Sequence, residues 1–227
     1  MPKKPSKKSK KQRRPISRKK ELAIGLLLVI AIAVALRIFL FFPTKVGDEG
    51  MSSGLYAGDF LLCSQIPYKT GTPQPGDLIA FEHPFKVGEK VVRRVIATEG
   101  QTIEIVGKMV YVNGEPLAEF PAVQHSDYRI LPRDFSNRDY FEAKQVPAGH
   151  LFVLGDNRDN AEDSRHFGFV DVQKIDGKGI FVYFSYEPDP NAPKMKSPYI
   201  IPAIQIFFYN LFHFPARTRW DRFFASS

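Results

Sequence analysis

The sequence predicts a mainly β domain that is carried by one N-terminal transmembrane helix. Three observations lead to this prediction: an apolar segment of 21 residues near the N-terminus, a series of short runs rich in β-branched and aromatic residues after it, and turn-forming glycines and prolines between those runs. The chain has 227 residues, a length that favours one folded domain with an appendage.

The excess positive charge lies in the N-terminal tail. The formal net charge is +8, and residues 1–20 hold eleven Lys or Arg and no acidic residue. The rest of the chain therefore carries 21 basic and 24 acidic side chains and is slightly acidic. This distribution argues against a basic nucleic-acid-binding face on the folded part, so we expect no nucleic-acid partner.

Residues 22–42 are the predicted membrane anchor, since about 20 helical residues cross a bilayer core of about 30 Å. Arg37 lies near one end, where its long side chain can reach the lipid headgroups. A cleavable signal peptide is the alternative, but its apolar core is shorter and is followed by small residues. This segment ends instead in Phe41-Phe42-Pro43. By the positive-inside rule, the tail of residues 1–21 then stays in the cytoplasm and the chain after the anchor lies outside.

The segment after the anchor, residues 43–187, is predicted to form the β domain. Glycine-containing turns separate its apolar runs, and no helix of useful length is expected before Pro188. Residues 117–147 show no clear periodicity and are interpreted as an insertion or long excursion. The predicted strands are 60–66, 77–81, 90–97, 102–106, 109–112 and 179–186.

Residues 188–227 combine apolar and aromatic side chains with arginines. Polar residues and two prolines within the segment argue against a second membrane span. Two placements remain open for it: the membrane interface, which aromatic and basic side chains favour, and packing against the β domain.

Neither the single cysteine nor the five histidines indicate a metal or redox site. Cys63 lies in an apolar run and is predicted to fill space in the core, while the histidines lack the spacing of metal ligands. Asp163, Ser164 and His166 are too close in sequence to be interpreted as a catalytic triad, which is assembled across a fold. We expect neither a metal nor a cofactor.

A box rich in charged and amide side chains after residue 154 resembles the last motif of the type I signal peptidases. These are membrane-anchored serine endopeptidases that remove signal peptides at the outer face of the bacterial inner membrane. The resemblance covers roughly residues 37–185 and includes Met51 and Gly58-Asp59. It implies a signal-peptidase/LexA-like β-fold and a single-pass location in the bacterial inner (plasma) membrane. We interpret most of the following residues as turn and ion-pair scaffold without chemistry of their own: Arg94, Gly155, Asp156, Asn157, Arg158, Asp159, Asn160, Asp163, Ser164 and Arg165.

The resemblance also implies a catalytic set that this sequence lacks. The family uses a serine nucleophile, a buried neutral lysine as its base, a second hydroxyl that orients the lysine, and a serine hydroxyl beside the oxyanion. Aligned on Gly58-Asp59, the corresponding positions hold Gly50 (nucleophile), Arg93 (base), Ala161 (lysine-orienting) and Asp48 (oxyanion). Glycine has no nucleophile, and arginine keeps its proton in proteins.

Ser52 and Ser53 are alternative nucleophiles, because a shifted loop could present either hydroxyl. The nearest lysines are Lys90 and Lys108, and strand alternation places Lys90 on the face opposite Arg93. The sequence therefore predicts a non-catalytic binder or modulator of signal peptides or exported precursors. Two alternatives remain open: an active signal peptidase with a displaced nucleophile, and a structural partner of another membrane protein, such as an active signal peptidase.

Overall fold

The computed structural model describes residues 18–193 and 200–225. The contacts divide the chain into two compact units, Met1–Phe39 and Leu40–Ser227. Helix α1, Arg18–Leu40, makes up the described part of the first unit and contributes one residue to the second.

The helix ends earlier than the predicted anchor, because Phe41 and Phe42 belong to a strand of the second unit. Within the ranges that the structure describes, no helix has the length and apolar character needed to span a membrane. The anchor over residues 22–42 therefore stays a prediction.

The second unit is mainly β, as the sequence predicts. Its strands are β1 Phe41–Lys45, β2 Asp59–Ser64, β3 Leu78–Glu82, β4 Lys90–Thr98, β5 Thr102–Val106, β6 Met109–Val112, β7 Glu115–Pro116, β8 Phe141–Gln145, β9 His150–Leu154, β10 Val170–Asp171 and β11 Ile175–Ser185. Its helices are α2 Ile66–Thr70, α3 Ser164–Phe167 and α4 Ile200–Arg217, and 3₁₀ turns cover Val172–Lys174 and Trp220–Arg222. Seven strands form one antiparallel sheet in the order β1-β2-β11-β3-β4-β9-β10, and four form a second in the order β7-β6-β5-β8.

All six predicted strands are present: β5 and β6 have the predicted bounds, the ends of β2, β3 and β4 shift by one or two residues, and β11 begins four residues earlier. The excursion expected over residues 117–147 is shorter, because β8 pairs with β5 inside it. The sequence did not predict β7, β8, β9 or β10, nor β1, whose first residues were counted as anchor. It also missed α4, whose prolines and polar residues obscured a helix of 18 residues.

The core positions the loop between β1 and β2, which carries several of the predicted site residues. Val46, Met51 and Leu55 of this loop are buried in one cluster with Leu61 and Cys63 of β2. Burial raises the pKa of the Cys63 thiol to about 11, so the thiol stays protonated at neutral pH. Cys63 therefore fills space in the core, as predicted.

The C-terminal segment both packs on the β domain and exposes apolar side chains. The ring of Phe214 in α4 stacks on Phe184 of β11 with centroids 6.0 Å apart, and Arg217 donates hydrogen bonds to the carbonyl of Glu187. The remainder of the helix leaves a row of large side chains in solvent. These are Ile201, Ile204, Phe207, Phe208, Leu211 and Phe212.

Candidate functional site

The loop between β1 and β2 is held against the charged box that follows β9. The carbonyl of Gly50 accepts a hydrogen bond of 3.0 Å from the backbone N–H of Asn157. The Asn157 side chain donates to the carbonyl of Glu49 at 3.1 Å. Because Met51 is also buried, the backbone around Gly50 is fixed from both sides.

Arg93 projects from β4 towards this loop and is almost completely buried, with 1% of its side chain exposed. Its Nη2 lies 2.7 Å from Oδ2 of Asp48 and its Nη1 lies 3.2 Å from Oδ1. Nη1 also donates to the carbonyl of Val92 at 2.7 Å, and Nε donates to the carbonyl of Glu162 at 2.9 Å. The guanidinium is therefore fixed by a carboxylate and two carbonyl groups.

The guanidinium occupies the space that a side chain at residue 50 would enter. A Cβ atom added to Gly50 would lie 3.0 Å from both Cζ and Nη2 of Arg93 and 3.1 Å from Nη1. These separations are shorter than the usual van der Waals contact of about 3.5–4.0 Å. Glycine at position 50 and arginine at position 93 thus fit each other sterically.

Ala161 completes the group of four residues that the sequence analysis assigned to functional positions. A Cβ atom added to Gly155 would overlap with both the Ala161 methyl group and the Gly50 carbonyl. Ala161 therefore lies close to the loop, and its neighbour Glu162 receives the hydrogen bond from Arg93. The structure brings Asp48, Gly50, Arg93 and Ala161 together around one point.

The alternative nucleophiles are engaged elsewhere. Ser52 Oγ accepts a hydrogen bond of 2.8 Å from the Asn157 side chain, and Ser53 donates to the carbonyl of Ala122. Lys90 pairs with Asp176 at 2.9 Å and Lys108 with Asp159 at 2.6 Å. Among the hydrogen bonds of the described residues, none joins Ser52 or Ser53 to a lysine.

Two buried ion pairs hold the charged box together. Arg94 makes a bidentate contact with Asp156, at 2.8 Å and 2.6 Å. Arg165 does the same with Asp163, at 2.9 Å and 2.7 Å, and Asp163 also accepts the N–H of Gly155. Burial alone would raise the pKa of Asp163, but the Arg165 guanidinium outweighs it and the pKa lies below its ordinary value.

The other residues of the box also make structural contacts. Asp159 accepts from Lys108 and, at 2.8 Å, from the N–H of Asp127, while Ser164 Oγ accepts the N–H of Val153 at 3.0 Å. Asn160 Nδ2 donates a hydrogen bond of 3.2 Å to the hydroxyl of Ser126. Arg158 is buried, its Nη1 lies 3.6 Å from Glu119, and burial lowers its pKa.

Asp59 anchors the C-terminal segment to the end of the same loop. Its buried carboxylate accepts hydrogen bonds from Arg222 at 2.7 Å, from Arg219 at 3.1 Å and from the Ser185 hydroxyl at 2.6 Å. The sequence analysis used Asp59 only to align the motif. The arginines after α4 indicated that this segment could pair with an acidic residue of the β domain, but the sequence could not show that the residue is Asp59.

Two strand edges are incompletely paired beside the site. β1 pairs with β2 on one side and is the terminal strand of its sheet. β4 pairs with β3 from Lys90 onwards, whereas its pairing with β9 begins only at Arg94. These edges lie near each other, since Lys90 Nζ is 5.8 Å from the centroid of the Phe42 ring.

The family described as signal peptidase, peptidase S26, matches residues 19–184. The chain belongs to this family. A probable signal peptidase I-1 of Synechocystis sp. is 34% identical over 166 residues, covering 70% of this chain and 79% of the relative. Signal peptidase I of Bacillus caldolyticus is 33% identical over 164 residues, covering 70% and 88%. A crystal structure of a signal peptidase I from Enterococcus faecalis is 34% identical, with a TM-score of 0.36, and covers 47% of this chain and 96% of that one.

The sequence analysis treated Asp48 and Arg93 as two separate losses and missed that they form an ion pair. An acid and an arginine at two positions of one site are a signal for such a pair. Their separation of 45 positions in the sequence, however, does not give the distance between the two side chains. The register of β4 against β3, and the loop conformation after β1, supply it.

Proposed function

We propose that this signal peptidase homologue lacks the Ser/Lys dyad of its family and binds signal peptides or exported precursors without cleaving them. One observation carries the proposal: the buried guanidinium of Arg93, paired with Asp48, fills the space beside Gly50. On the proposed correspondence, that space would hold the nucleophile and its base.

Each of the four groups opposes peptide hydrolysis for its own reason. Gly50 provides no hydroxyl, and Arg93 cannot accept a proton at neutral pH. Ala161 has no hydroxyl with which to orient a base. Asp48 bears a carboxylate, which disfavours the negative charge that develops on the carbonyl oxygen in acyl transfer.

Peptide binding does not require any of these lost groups. The incompletely paired edges of β1 and β4 leave backbone groups without a strand partner, and an extended peptide can pair with such groups as an added strand. Buried ion pairs such as Arg94–Asp156 keep the surrounding fold rigid. The proposed role is therefore that of a binder or modulator in signal-peptide processing.

The proposal places the protein at the inner membrane of a bacterium. Residues 22–42 serve as the anchor, whose last two residues, Phe41 and Phe42, also begin β1; the basic tail faces the cytoplasm, and the β domain lies outside. The C-terminal segment contributes a second, interfacial contact. Its exposed row on α4 supports this, since large exposed apolar patches mark interaction surfaces and aromatic and basic residues suit the interface.

The direct test is photocrosslinking of a secretory precursor, labelled within its signal peptide, to the full-length protein in proteoliposomes. We expect a crosslinked and uncleaved precursor. Cleavage that Ser52→Ala or Ser53→Ala abolishes would establish an active enzyme instead. Co-purification with another membrane protein, without a crosslink to the signal peptide, would establish a structural partner.

A gain-of-function variant provides the complementary test. Asp48→Ser, Gly50→Ser, Arg93→Lys and Ala161→Ser together restore the side chains that the family motif implies, and they remove the carboxylate that would keep a lysine at position 93 protonated. We expect this quadruple variant to cleave the precursor at a measurable rate, while the same variant without Gly50→Ser does not. A folded quadruple variant without activity would show that the peptide-binding groove has diverged as well.

A further inference from the structure

The carboxylate of Asp48 lies among three N–H donors that together form a carboxylate-binding site. Its Oδ1 accepts hydrogen bonds from the backbone N–H of Gly50 at 3.0 Å and from Nη1 of Arg93 at 3.2 Å. Its Oδ2 accepts from Nη2 of Arg93 at 2.7 Å. A planar guanidinium that binds both oxygens is the arrangement by which proteins recognise carboxylates with directional specificity.

The donors of this site, which we call the carboxylate cradle, have other contacts besides those with Asp48. Arg93 is held by the carbonyls of Val92 and Glu162, and the Gly50 backbone is held by Asn157. Asp48 itself is the least buried member, with 32% of its side chain exposed. It can rotate into water while the cradle stays in place.

The cradle also lies where a bound peptide would end. β1 runs from Phe41 to Lys45, and Asp48 follows three residues later in the loop. The part of β4 that is not paired with β9 runs from Lys90 to Arg93 along the other incompletely paired edge. A peptide strand parallel to these two segments has its C-terminus beside the cradle.

We propose that the carboxylate cradle binds the free α-carboxylate of a peptide, and that Asp48 is an internal occupant which the peptide displaces. This inference rests on the proposed peptide-binding function. The exchange replaces one carboxylate with another on the same three donors, so no buried guanidinium is left unpaired. The ligand class is an extended peptide with a free C-terminus, which is the chemical form of a signal peptide after its removal from a precursor.

The test measures fluorescence anisotropy of two labelled decapeptides bound to the full-length protein in detergent. Both have the same apolar, alanine-ending sequence, and one carries a free carboxylate while the other carries a C-terminal amide. We expect the free acid to bind about tenfold more tightly, a difference of about 1.4 kcal/mol. Asp48→Ala should strengthen binding of the acid several-fold and leave the amide unchanged. Asp134→Ala, which removes an exposed carboxylate elsewhere, is the matched control.

One further variant and one further comparison distinguish the possible results of this experiment. Arg93→Lys keeps the positive charge but loses the planar fork, and it should reduce the preference for the acid; its melting temperature reports whether it folds. The comparison of acid with amide on the unchanged protein needs neither Arg93→Lys nor Asp48→Ala. Equal affinities for acid and amide there would overturn the cradle while leaving peptide binding intact. Binding of neither peptide would overturn the proposed function as well.

Discussion

Replacing Gly50 with serine should destabilise the protein because of Arg93, and this prediction can be worked from the contacts. The new Cβ would approach Cζ and Nη2 of Arg93 to 3.0 Å, about 0.5 Å or more inside an ordinary contact. The guanidinium cannot move aside without losing its hydrogen bonds to Asp48, Val92 and Glu162. Overpacking of this kind costs about 1–3 kcal/mol.

The assay is thermal unfolding of the full-length protein in detergent. For a folded unit of this size, about 1 kcal/mol shifts the melting temperature by about 2–4 °C, so we expect Gly50→Ser to lower it by about 2–12 °C. Gly47→Ser is the matched control. A Cβ added at Gly47 meets nothing within 4 Å, so the stability should stay within about 0.5 kcal/mol of the parent.

A double-mutant cycle then identifies Arg93 as the cause. Arg93→Lys alone should destabilise, because it removes hydrogen bonds from a buried pair. Combined with Gly50→Ser, the slimmer lysine should leave room for the serine, so the double variant should be more stable than the sum of the single effects by about 0.5–3 kcal/mol. Additive effects, or equal melting temperatures for Gly50→Ser and Gly47→Ser, would refute the steric account.

Three further predictions concern the rest of the domain. The pKa values of Asp163 and Asp159 lie below their unfolded values, so their contribution to stability is complete above about pH 4 and is lost as the pH falls through the lower folded values. Melting temperatures measured from pH 7 to pH 2 should therefore fall at the acidic end of this range. Constant melting temperatures there would contradict the stabilising role of these two carboxylates. Arg222→Ala should cost about 1–3 kcal/mol in thermal unfolding by removing one hydrogen bond from the buried Asp59 carboxylate, and an unchanged melting temperature would show that the contact is dispensable. In the protein reconstituted into anionic liposomes, Phe212→Glu on α4 should reduce the quenching of Trp220 fluorescence by brominated lipids, and unchanged quenching would argue against interfacial binding by that helix.

Six of the eleven strands in the described residues were predictable from sequence, because their apolar, β-branched residues and intervening glycines are local signals. β4 is the clearest case: seven of its nine residues are buried, and they form a nearly continuous apolar run interrupted by Arg93 and Arg94. α4 was not predictable in the same way. Its prolines and polar residues weaken the local helical signal, whereas Phe214 and Arg217 find the partners Phe184 and Glu187 only once the chain has folded.

In the candidate site, too, the features that local sequence signals indicate differ from those that depend on long-range contacts. The charged box indicated its family through residue types at fixed spacing. One of its buried ion pairs, Asp163–Arg165, joins residues close in sequence, whereas Arg94 lies 62 positions before its partner Asp156. The pairing of Asp48 with Arg93 could not be predicted from spacing, because it depends on how a loop after one strand meets a side chain from another. Long-range contacts of this kind are set by register and loop conformation.

The pairing of Asp48 with Arg93 gives the proposed loss of the Ser/Lys dyad a physical reason, because the residues at positions 48, 50 and 93 depend on one another. A buried arginine needs an acceptor for its charge, which Asp48 supplies, and needs volume, which Gly50 leaves free. A serine at position 50 would overlap with the guanidinium, and an uncharged residue at position 48 would leave the arginine without its carboxylate. The set is thus self-consistent as a structural unit, so restoring catalysis requires changing its members together. Substituting any single member is expected to reduce stability before it restores chemistry.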